Sequence, residues 1–155
     1  MKLTSSVFAE GEKIPSKYTC DGQNINPPLL FSDLPKDAQT LVLIMDDPDI
    51  PQFVKQKFHT QVWDHWVVFN IPPDTGEIPE GKNPPGDLGR NTGGNNSYGG
   101  PCPPDREHRY FFKLYALDTE LDLLEGATKA EVEKAMKNHI LAEARLMGRY
   151  ERVSK

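Results

Sequence analysis

Apolar residues form several well-defined runs along the chain, and the spacing within each run predicts a β-strand. TLVLIMDD (40–47) and WVVFNI (66–71) are almost continuously apolar, as expected of strands that are buried on both faces. In RYFFKLYALD (109–118), and again over 140–150, apolar side chains fall on alternate positions. That alternation predicts two more strands, each of which turns one face toward a core.

One helix is predicted between the last two strands. Thr128 and Glu131 have the Thr-x-x-Glu spacing of a capping box, which marks the beginning of a helix at TKAEVEKAMKN. The apolar stripe of this helix is weak, and Val132 is its least well placed member; the stripe consists of Ala130, Val132, Ala135 and Met136. We expect this helix to cover an edge or a face of the sheet.

Residues 72–108 differ from the rest of the chain because they are rich in proline and glycine and have no apolar period of their own. A connection this long is usually functional or disordered. Because strong strands flank it, we predict a functional loop that folds back onto the domain. Short apolar runs separated by turn residues predict a mainly β fold in a single domain, residues 1–155.

Charge and length narrow the classes of function. The net charge of −5 argues against non-specific nucleic-acid binding, which requires a basic face. No apolar run approaches the ~20 residues of a membrane-spanning helix, and the N-terminal residues lack the apolar core of a secretory signal. A soluble cytoplasmic protein with no transmembrane segment is therefore expected.

Cys20 and Cys102 have no zinc or redox spacing. The favoured interpretation is two reduced, partly buried thiols, since cytosolic cysteines rarely form disulfides. The alternative is that they meet in the fold, because each lies in a loop rich in turn residues. Such a disulfide would require an oxidising setting.

The stretch DDPDIP (46–51) places carboxylates between prolines directly after a buried strand. Pro48 and Pro51 restrict the residues before them to extended conformations and so stiffen the segment. We expect Asp49 to accept backbone hydrogen bonds in a turn, and Asp47, which is closer to the strand end, to belong to a site.

Two further stretches supply partners for Asp47. DHWVVFN places His65 just before a buried strand, with Trp63 as a candidate apolar wall. In HRY, His108 and Tyr110 project to the same face of a strand, whereas Arg109 points away and is expected to pair with an acidic residue elsewhere. In GGPCPP (99–104), Gly99, Gly100 and Pro101 would present bare backbone N–H and carbonyl groups to a ligand.

If these stretches meet, the imidazoles, the phenol and the backbone amides suit a phosphate-like anion. A carboxylate is tolerable in such a pocket if the ligand carries a proton, or if Asp47 keeps a histidine charged, and either case predicts pH-dependent binding. Enzymatic chemistry is not expected, because no local metal-ligand spacing is present and Ser97 lacks a G-x-S-x-G context. No cofactor is expected either.

The ordered motifs DPDIP, HWVVFNIP and GPCPPDREHRY resemble the phosphatidylethanolamine-binding protein (PEBP) family, to which Raf kinase inhibitor protein belongs. YTCDGQNINPPL (18–29) and YFFKLYALDTELDL (110–123) are similar to its bacterial and archaeal branch. The resemblance implies a β-sandwich of antiparallel sheets with Greek-key connections and one or two short helices. It also implies an anion pocket built by Asp47, Ile50, Pro51, Trp63, His65, Gly100, Pro101, His108 and Tyr110.

The resemblance therefore predicts a binding protein for phosphate or a phosphorylated headgroup, which could modulate a partner kinase or another, unidentified protein. It also predicts a homodimer. In that interpretation the Gly100 N–H, His108 and Tyr110 complete a cage around the anion. An alternative is an inhibitor of a protease or kinase in which the pocket is incidental and surface residues such as Arg90 and Tyr98 bind the partner.

Overall fold

In a computed structural model of the protein, residues 1–152 are described. They form eight β-strands: β1 (Lys2–Thr4), β2 (Leu29–Ser32), β3 (Thr40–Asp47), β4 (Trp63–Ile71), β5 (Glu77–Ile78), β6 (Asp87–Leu88), β7 (His108–Leu117) and β8 (Ile140–Tyr150). The α-helices of this part of the chain are α1 (Gln52–Phe58) and α2 (Lys129–Met136), and a single 3₁₀ turn spans Ser16–Tyr18. The four long strands and α2 all lie where the sequence pattern predicts them.

The strands form two antiparallel sheets, ordered β1-β2-β5 and β6-β4-β3-β7-β8. In the larger sheet, β3, β4 and β6 lie side by side in the order in which they follow one another along the chain. β7 then pairs with the edge of β3 that faces away from β4. This spatial order is that of a Greek key. The predicted antiparallel β-sandwich with short helices is therefore confirmed.

β3 lies between two hydrophobic clusters. Its alternate residues Leu41, Leu43 and Met45 pack in the core between the two sheets, whereas Val42 and Ile44 pack in a second cluster beneath α2. Every residue of β3 is buried, which explains the nearly unbroken apolar run in its sequence. The predicted burial on both faces is confirmed.

α2 begins with the predicted capping box, because the Thr128 side chain accepts the Glu131 N–H and the Glu131 side chain accepts the Thr128 N–H. The expected apolar stripe is confirmed for Val132, Ala135 and Met136, which pack in the cluster beneath α2, and is wrong for Ala130. Val132 and Met136, four residues apart, are the buried positions, whereas Ala130 is exposed. α2 thus attaches to the sheet by two large side chains on one face.

α1 and the short strands were not predicted. α1 follows Pro51 and ends at Phe58. The next residue, His59, caps the helix with a left-handed φ of 54°, and no residue of α1 is buried. A helix without a core-facing stripe leaves no periodic signal in the sequence. Within the loop 72–108, β5 and β6 are each two residues long. Among residues 1–152, neither helix has the length and apolar character needed to cross a bilayer.

Candidate functional site

Asp49 connects the turn after β3 to the beginning of β7 through hydrogen bonds to Arg109. Its Oδ2 accepts the backbone N–H and the Nε–H of Arg109, both at 2.9 Å, and its Oδ1 accepts from Nη2 at 2.8 Å. These bonds to Arg109 hold the pKa of Asp49 below its usual value despite partial burial. The structural role predicted for Asp49 and the predicted acidic partner of Arg109 are both confirmed.

Asp47 lies on the other side of the strand end and pairs with His108. Its Oδ2 is 2.6 Å from His108 Nδ1, and its Oδ1 accepts the Asp49 N–H at 2.7 Å. The second ring nitrogen, His108 Nε2, is 2.7 Å from Asp105 Oδ1. Burial lowers the pKa of His108, but the bonds and charges of Asp47 and Asp105 outweigh it and raise that pKa above its ordinary value. His108 is therefore held as an imidazolium.

His65 has the opposite charge preference. Its Nδ1 lies 2.6 Å from the Gly99 carbonyl oxygen, and because a carbonyl can only accept, Nδ1 carries the hydrogen. Burial lowers the pKa of His65, and this outweighs the raising effects of the Gly99 bond and the nearby Asp47. Near neutral pH His65 is neutral, and its Nε2 is the ring atom with a lone pair.

Tyr110 is fully buried, and its hydroxyl has no hydrogen-bond partner among the residues that the structure describes. Its ring stacks on His108 with centroids 6.4 Å apart and meets His65 edge-on at 5.3 Å. Burial raises the pKa of Tyr110, so the phenol stays protonated and can donate. An unsatisfied buried hydroxyl typically costs about 1–3 kcal/mol. A ligand oxygen would satisfy it.

These side chains line a pocket of about 340 Å³. Seven of the nine predicted site residues line it, namely Asp47, Ile50, Trp63, His65, Gly100, His108 and Tyr110. The other two do not. Pro51 instead precedes the first turn of α1, and Pro101 is buried, with its carbonyl accepting the Cys20 N–H at 3.1 Å.

The lip segment, residues 99–104, uses its backbone donors within the fold. The Gly99 N–H donates to the His65 carbonyl at 2.9 Å, and the Gly100 N–H donates to Asn24 Oδ1 at 2.8 Å. A Cβ at Gly100 would collide with the Tyr18 carbonyl, so glycine is needed there for close packing. The expectation that the Gly100 N–H contacts a ligand is therefore not met, because the fold itself takes that donor.

A disulfide joins Cys20 to Cys102, across 82 residues of chain, so the expectation of two reduced thiols is wrong. The backbone bond from Cys20 to Pro101 aligns the two loops, and sequence spacing gave no sign of that pairing. Cys102 lines the pocket, so the bond ties the lip segment to the N-terminal part of the chain. Disulfides are uncommon in cytosolic proteins of mesophiles, and the cytoplasmic location stays a prediction.

Several residues that line the pocket were not predicted, and they come from α1 and from the loop between β6 and β7. Val54 and Phe58 come from α1, and Phe58 meets Trp63 edge-on at a centroid distance of 4.7 Å. Asn91 holds its loop together by donating to the Ser97 carbonyl at 2.9 Å and accepting the Asn95 N–H at 3.0 Å. The remaining unpredicted lining residues are Gly93, Asn95, Gly99, Cys102, Pro103 and Pro104. Only the last four lie in a stretch that the motifs had singled out.

Comparison with known proteins gives concordant results. A family model described as phosphatidylethanolamine-binding protein matches residues 4–151. A UPF0098 protein of Methanothermobacter thermautotrophicus is 49% identical, over 98% of this chain and 99% of its own. The crystal structure of a putative PEBP homolog from Chlamydia trachomatis, CT736, is 47% identical with a TM-score of 0.93 and covers 97% of each chain. Escherichia coli YbcL, described as a new member of the mammalian PEBP family, is 29% identical with a TM-score of 0.86, over 97% of this chain and 98% of its own.

Proposed function

Because the chain belongs to the phosphatidylethanolamine-binding protein family, we propose that its pocket binds a small phosphate-like anion or phosphorylated headgroup without transforming it. The membership predicted from the three sequence motifs is confirmed. The observation that carries the proposal is the buried Tyr110 hydroxyl, which has no partner among residues 1–152 and lines the pocket. This hydroxyl can donate a hydrogen bond, and an anion oxygen in the pocket would accept it.

His65 supplies the complementary group. With Nδ1–H donated to Gly99, Nε2 accepts a hydrogen bond from a protonated anion, or donates one once the ring itself is protonated. Either arrangement requires one proton shared between His65 and the ligand. Because the complex holds that proton, whereas the lowered pKa of His65 leaves its ring neutral in the free protein near neutral pH, affinity should increase as pH falls.

The apolar residues of the pocket lining suit the organic portion of such a ligand. Ile50, Phe58 and Trp63 provide apolar surface there, and the volume of about 340 Å³ lies near the lower end of the ~300–1,000 Å³ of small-molecule sites. The size favours a headgroup over a long acyl chain.

A titration followed by ¹⁵N NMR tests the proposal, using inorganic phosphate and phosphoethanolamine at about pH 6 and about pH 8. We expect shifts confined to residues that line the pocket, larger at the lower pH, and their loss in His65→Ala. His139→Ala is the matched control, because His139 is an exposed histidine paired with Asp118 outside the pocket. Retained binding in His65→Ala, or no shifts at millimolar ligand, would contradict the proposal.

The protein-interaction alternative named Arg90 and Tyr98. Tyr98 is partly exposed and also supports the fold: its hydroxyl donates to the Tyr18 carbonyl at 2.7 Å and its ring packs edge-on against Trp66. Arg90 is exposed and remains available for a partner. Modulation of a partner protein and the homodimer stay predictions.

A further inference from the structure

The disulfide between Cys20 and Cys102 holds one part of the pocket wall in place. Cys102, Pro103 and Pro104 are consecutive residues of the lip segment, and all three line the pocket. Among residues 1–152, none of the three takes part in a backbone hydrogen bond, and the two prolines have no N–H to donate. Apart from the packing of Pro103, which is buried, the disulfide is what attaches this stretch to the rest of the fold.

The first half of the lip segment is attached in a different way. The Gly99 N–H donates to the His65 carbonyl at 2.9 Å, and the Gly100 N–H donates to Asn24 Oδ1 at 2.8 Å. The Gly99 carbonyl also lies 2.6 Å from His65 Nδ1. None of these bonds involves sulfur, so reduction of the disulfide would leave Gly99, Gly100 and His65 in place while it released residues 102–104.

The bond is open to attack by a thiol. Cys102 is exposed and Cys20 is partly exposed. A thiolate of a dithiol reductant attacks the Cys102 sulfur, the S–S bond breaks, and the Cys20 sulfur leaves as a thiolate that takes up a proton. The second thiolate of the reductant then displaces the Cys102 sulfur, which takes up a proton in turn. The dithiol ends as a disulfide, and the protein has gained two electrons and two protons.

Resting on the proposed function, we propose that the Cys20–Cys102 bond is a thiol-exchange site through which a dithiol reductant weakens anion binding by releasing one wall of the pocket. The oxidised protein holds residues 102–104 against the pocket, whereas in the reduced protein the same stretch samples other arrangements. A ligand then binds only the fraction of molecules in which the wall is in place, so its apparent affinity falls in proportion. If that fraction is about a tenth, the loss of affinity is about tenfold.

Linkage between ligand and reductant provides a second, independent measurement. If reduction weakens phosphate binding by some factor, saturating phosphate must favour the oxidised protein by the same factor. For a two-electron couple, a tenfold change in the equilibrium corresponds to ~30 mV in reduction potential. Phosphate should therefore make the disulfide harder to reduce, and the two factors should agree.

The binding test uses the wild-type chain, with inorganic phosphate as the ligand and dithiothreitol as the reductant, at about pH 7. We expect NMR titration to show about tenfold weaker phosphate binding after reduction. In a dithiothreitol redox buffer, saturating phosphate should lower the reduction potential of the disulfide by ~30 mV. Cys20→Ser/Cys102→Ser is the matched control. This double variant should bind phosphate as the reduced protein does, and dithiothreitol should not change its affinity.

Backbone ¹⁵N relaxation of the ligand-free protein tests the release of the wall without relying on phosphate. Reduction should make the Cys102 amide mobile on the fast timescale that relaxation reports, because the disulfide no longer holds it. The amides of Gly99 and Gly100 should stay rigid, since their hydrogen bonds to His65 and Asn24 remain. A Cys102 amide that stays rigid after reduction overturns the proposal.

The other outcomes separate this inference from the proposed function. Equal phosphate affinity in the oxidised and reduced proteins overturns the inference and leaves anion binding intact. Global unfolding on reduction, seen as loss of amide chemical-shift dispersion, also overturns it, because the bond that closes 82 residues of chain would then act only as a structural cross-link. Failure of the oxidised protein to bind phosphate overturns the proposed function together with this inference.

Discussion

Asp46 and Asp47 are neighbours in sequence, yet they serve clusters of opposite character on the two faces of the larger sheet. On the outer face, Asp46 Oδ2 contacts Lys113 Nζ at 3.0 Å and Lys129 Nζ at 3.2 Å, and Lys129 also pairs with Asp64 at 3.0 Å. Two carboxylates there meet two ammonium groups. On the inner face, Asp47 and a second carboxylate meet one imidazolium.

The two clusters differ in what their ion pairs hold together. Lys129 is the first residue of α2, so the outer cluster ties that helix to β3 and β4. Burial lowers the pKa of Lys129, but Asp46 and Asp64 outweigh it and keep the ammonium charged. In the outer cluster each carboxylate has an ammonium partner within the fold. The inner cluster instead contains a titratable ring, His108, that two carboxylates contact and that lines the pocket.

The largest expected effect comes from breaking the outer cluster. Asp46→Asn should lower the free energy of unfolding by about 3 kcal/mol, because it removes the carboxylate that two lysines share at a buried position. Asp47→Asn should cost less, about 1–2 kcal/mol at about pH 8, because His108 can release its proton and keep a hydrogen bond to Asp105. Urea denaturation of both variants measures the two losses.

The matched pair also distinguishes the two roles. Asp46→Asn should leave phosphate binding near the wild-type level, since its partners do not line the pocket. Equal destabilisation by the two substitutions, or loss of phosphate binding in Asp46→Asn alone, would show that the clusters are not separate in function.

A smaller effect on stability is expected from pH. The pKa of one pocket histidine should lie above the ordinary histidine value and that of the other below it. Burial opposes the charge of both rings, but the carboxylates raise the pKa of His108 whereas burial prevails and lowers that of His65. The stabilisation from His108 is complete below its unfolded pKa of ~6.5 and is lost as pH rises through the raised folded pKa. For His65 the sign is reversed, and stability is lost as pH falls from ~6.5 through the lowered folded pKa.

Imidazole NMR titration measures both groups directly. Asp47→Asn should lower the pKa of His108, because it replaces one of the two carboxylates that hold the proton, while Asp46→Asn should change it much less. If His65 releases its proton at higher pH than His108, the assignment of charge in the pocket is wrong. Unequal responses of the two variants would sharpen the contrast between the faces.

The secondary-structure elements that the sequence predicts are the ones long enough to show a repeating apolar pattern or a capping motif. β3, β4, β7 and β8 are long enough for their apolar period to be recognised, and α2 has a capping box. β5 and β6 have two residues each, and α1 has no buried side chain, so neither periodicity nor burial marked them. The loop that carries β5 and β6 folds by long-range hydrogen bonds that no local pattern records.

The same limit applies within the site. The motifs identified the ionisable groups of the pocket, and Asp49 could be assigned to the turn because prolines fix its surroundings. The pairing of Asp47 with His108, and the use of both ring nitrogens, depends on how β3 and β7 align across the sheet. Asp105 stands in the quoted motif but was not singled out, because its contact with His108 follows from the fold and not from a local pattern. The charged groups that surround His108 could therefore be identified only from the tertiary structure.

The smallest expected effect on stability tests whether the inner face is built for a ligand. Tyr110→Phe removes a buried hydroxyl that has no partner in the described part of the chain, so it should leave stability unchanged or raise it by up to about 1 kcal/mol. Tyr98→Phe is the matched control, because its hydroxyl donates to the Tyr18 carbonyl at 2.7 Å, and its loss should cost about 1 kcal/mol.

Phosphate binding should respond in the reverse order, with loss of affinity in Tyr110→Phe and near wild-type affinity in Tyr98→Phe. Within residues 1–152 no hydrogen bond offsets the burial of this hydroxyl, so a group that is costly in the free protein and needed in the complex has its role in binding. Urea unfolding and phosphate titration on the same two variants provide both readouts. If Tyr110→Phe destabilised the protein as much as Tyr98→Phe does, the Tyr110 hydroxyl would already have a hydrogen-bond partner within the fold. The main observation in favour of a ligand in this pocket would then be contradicted.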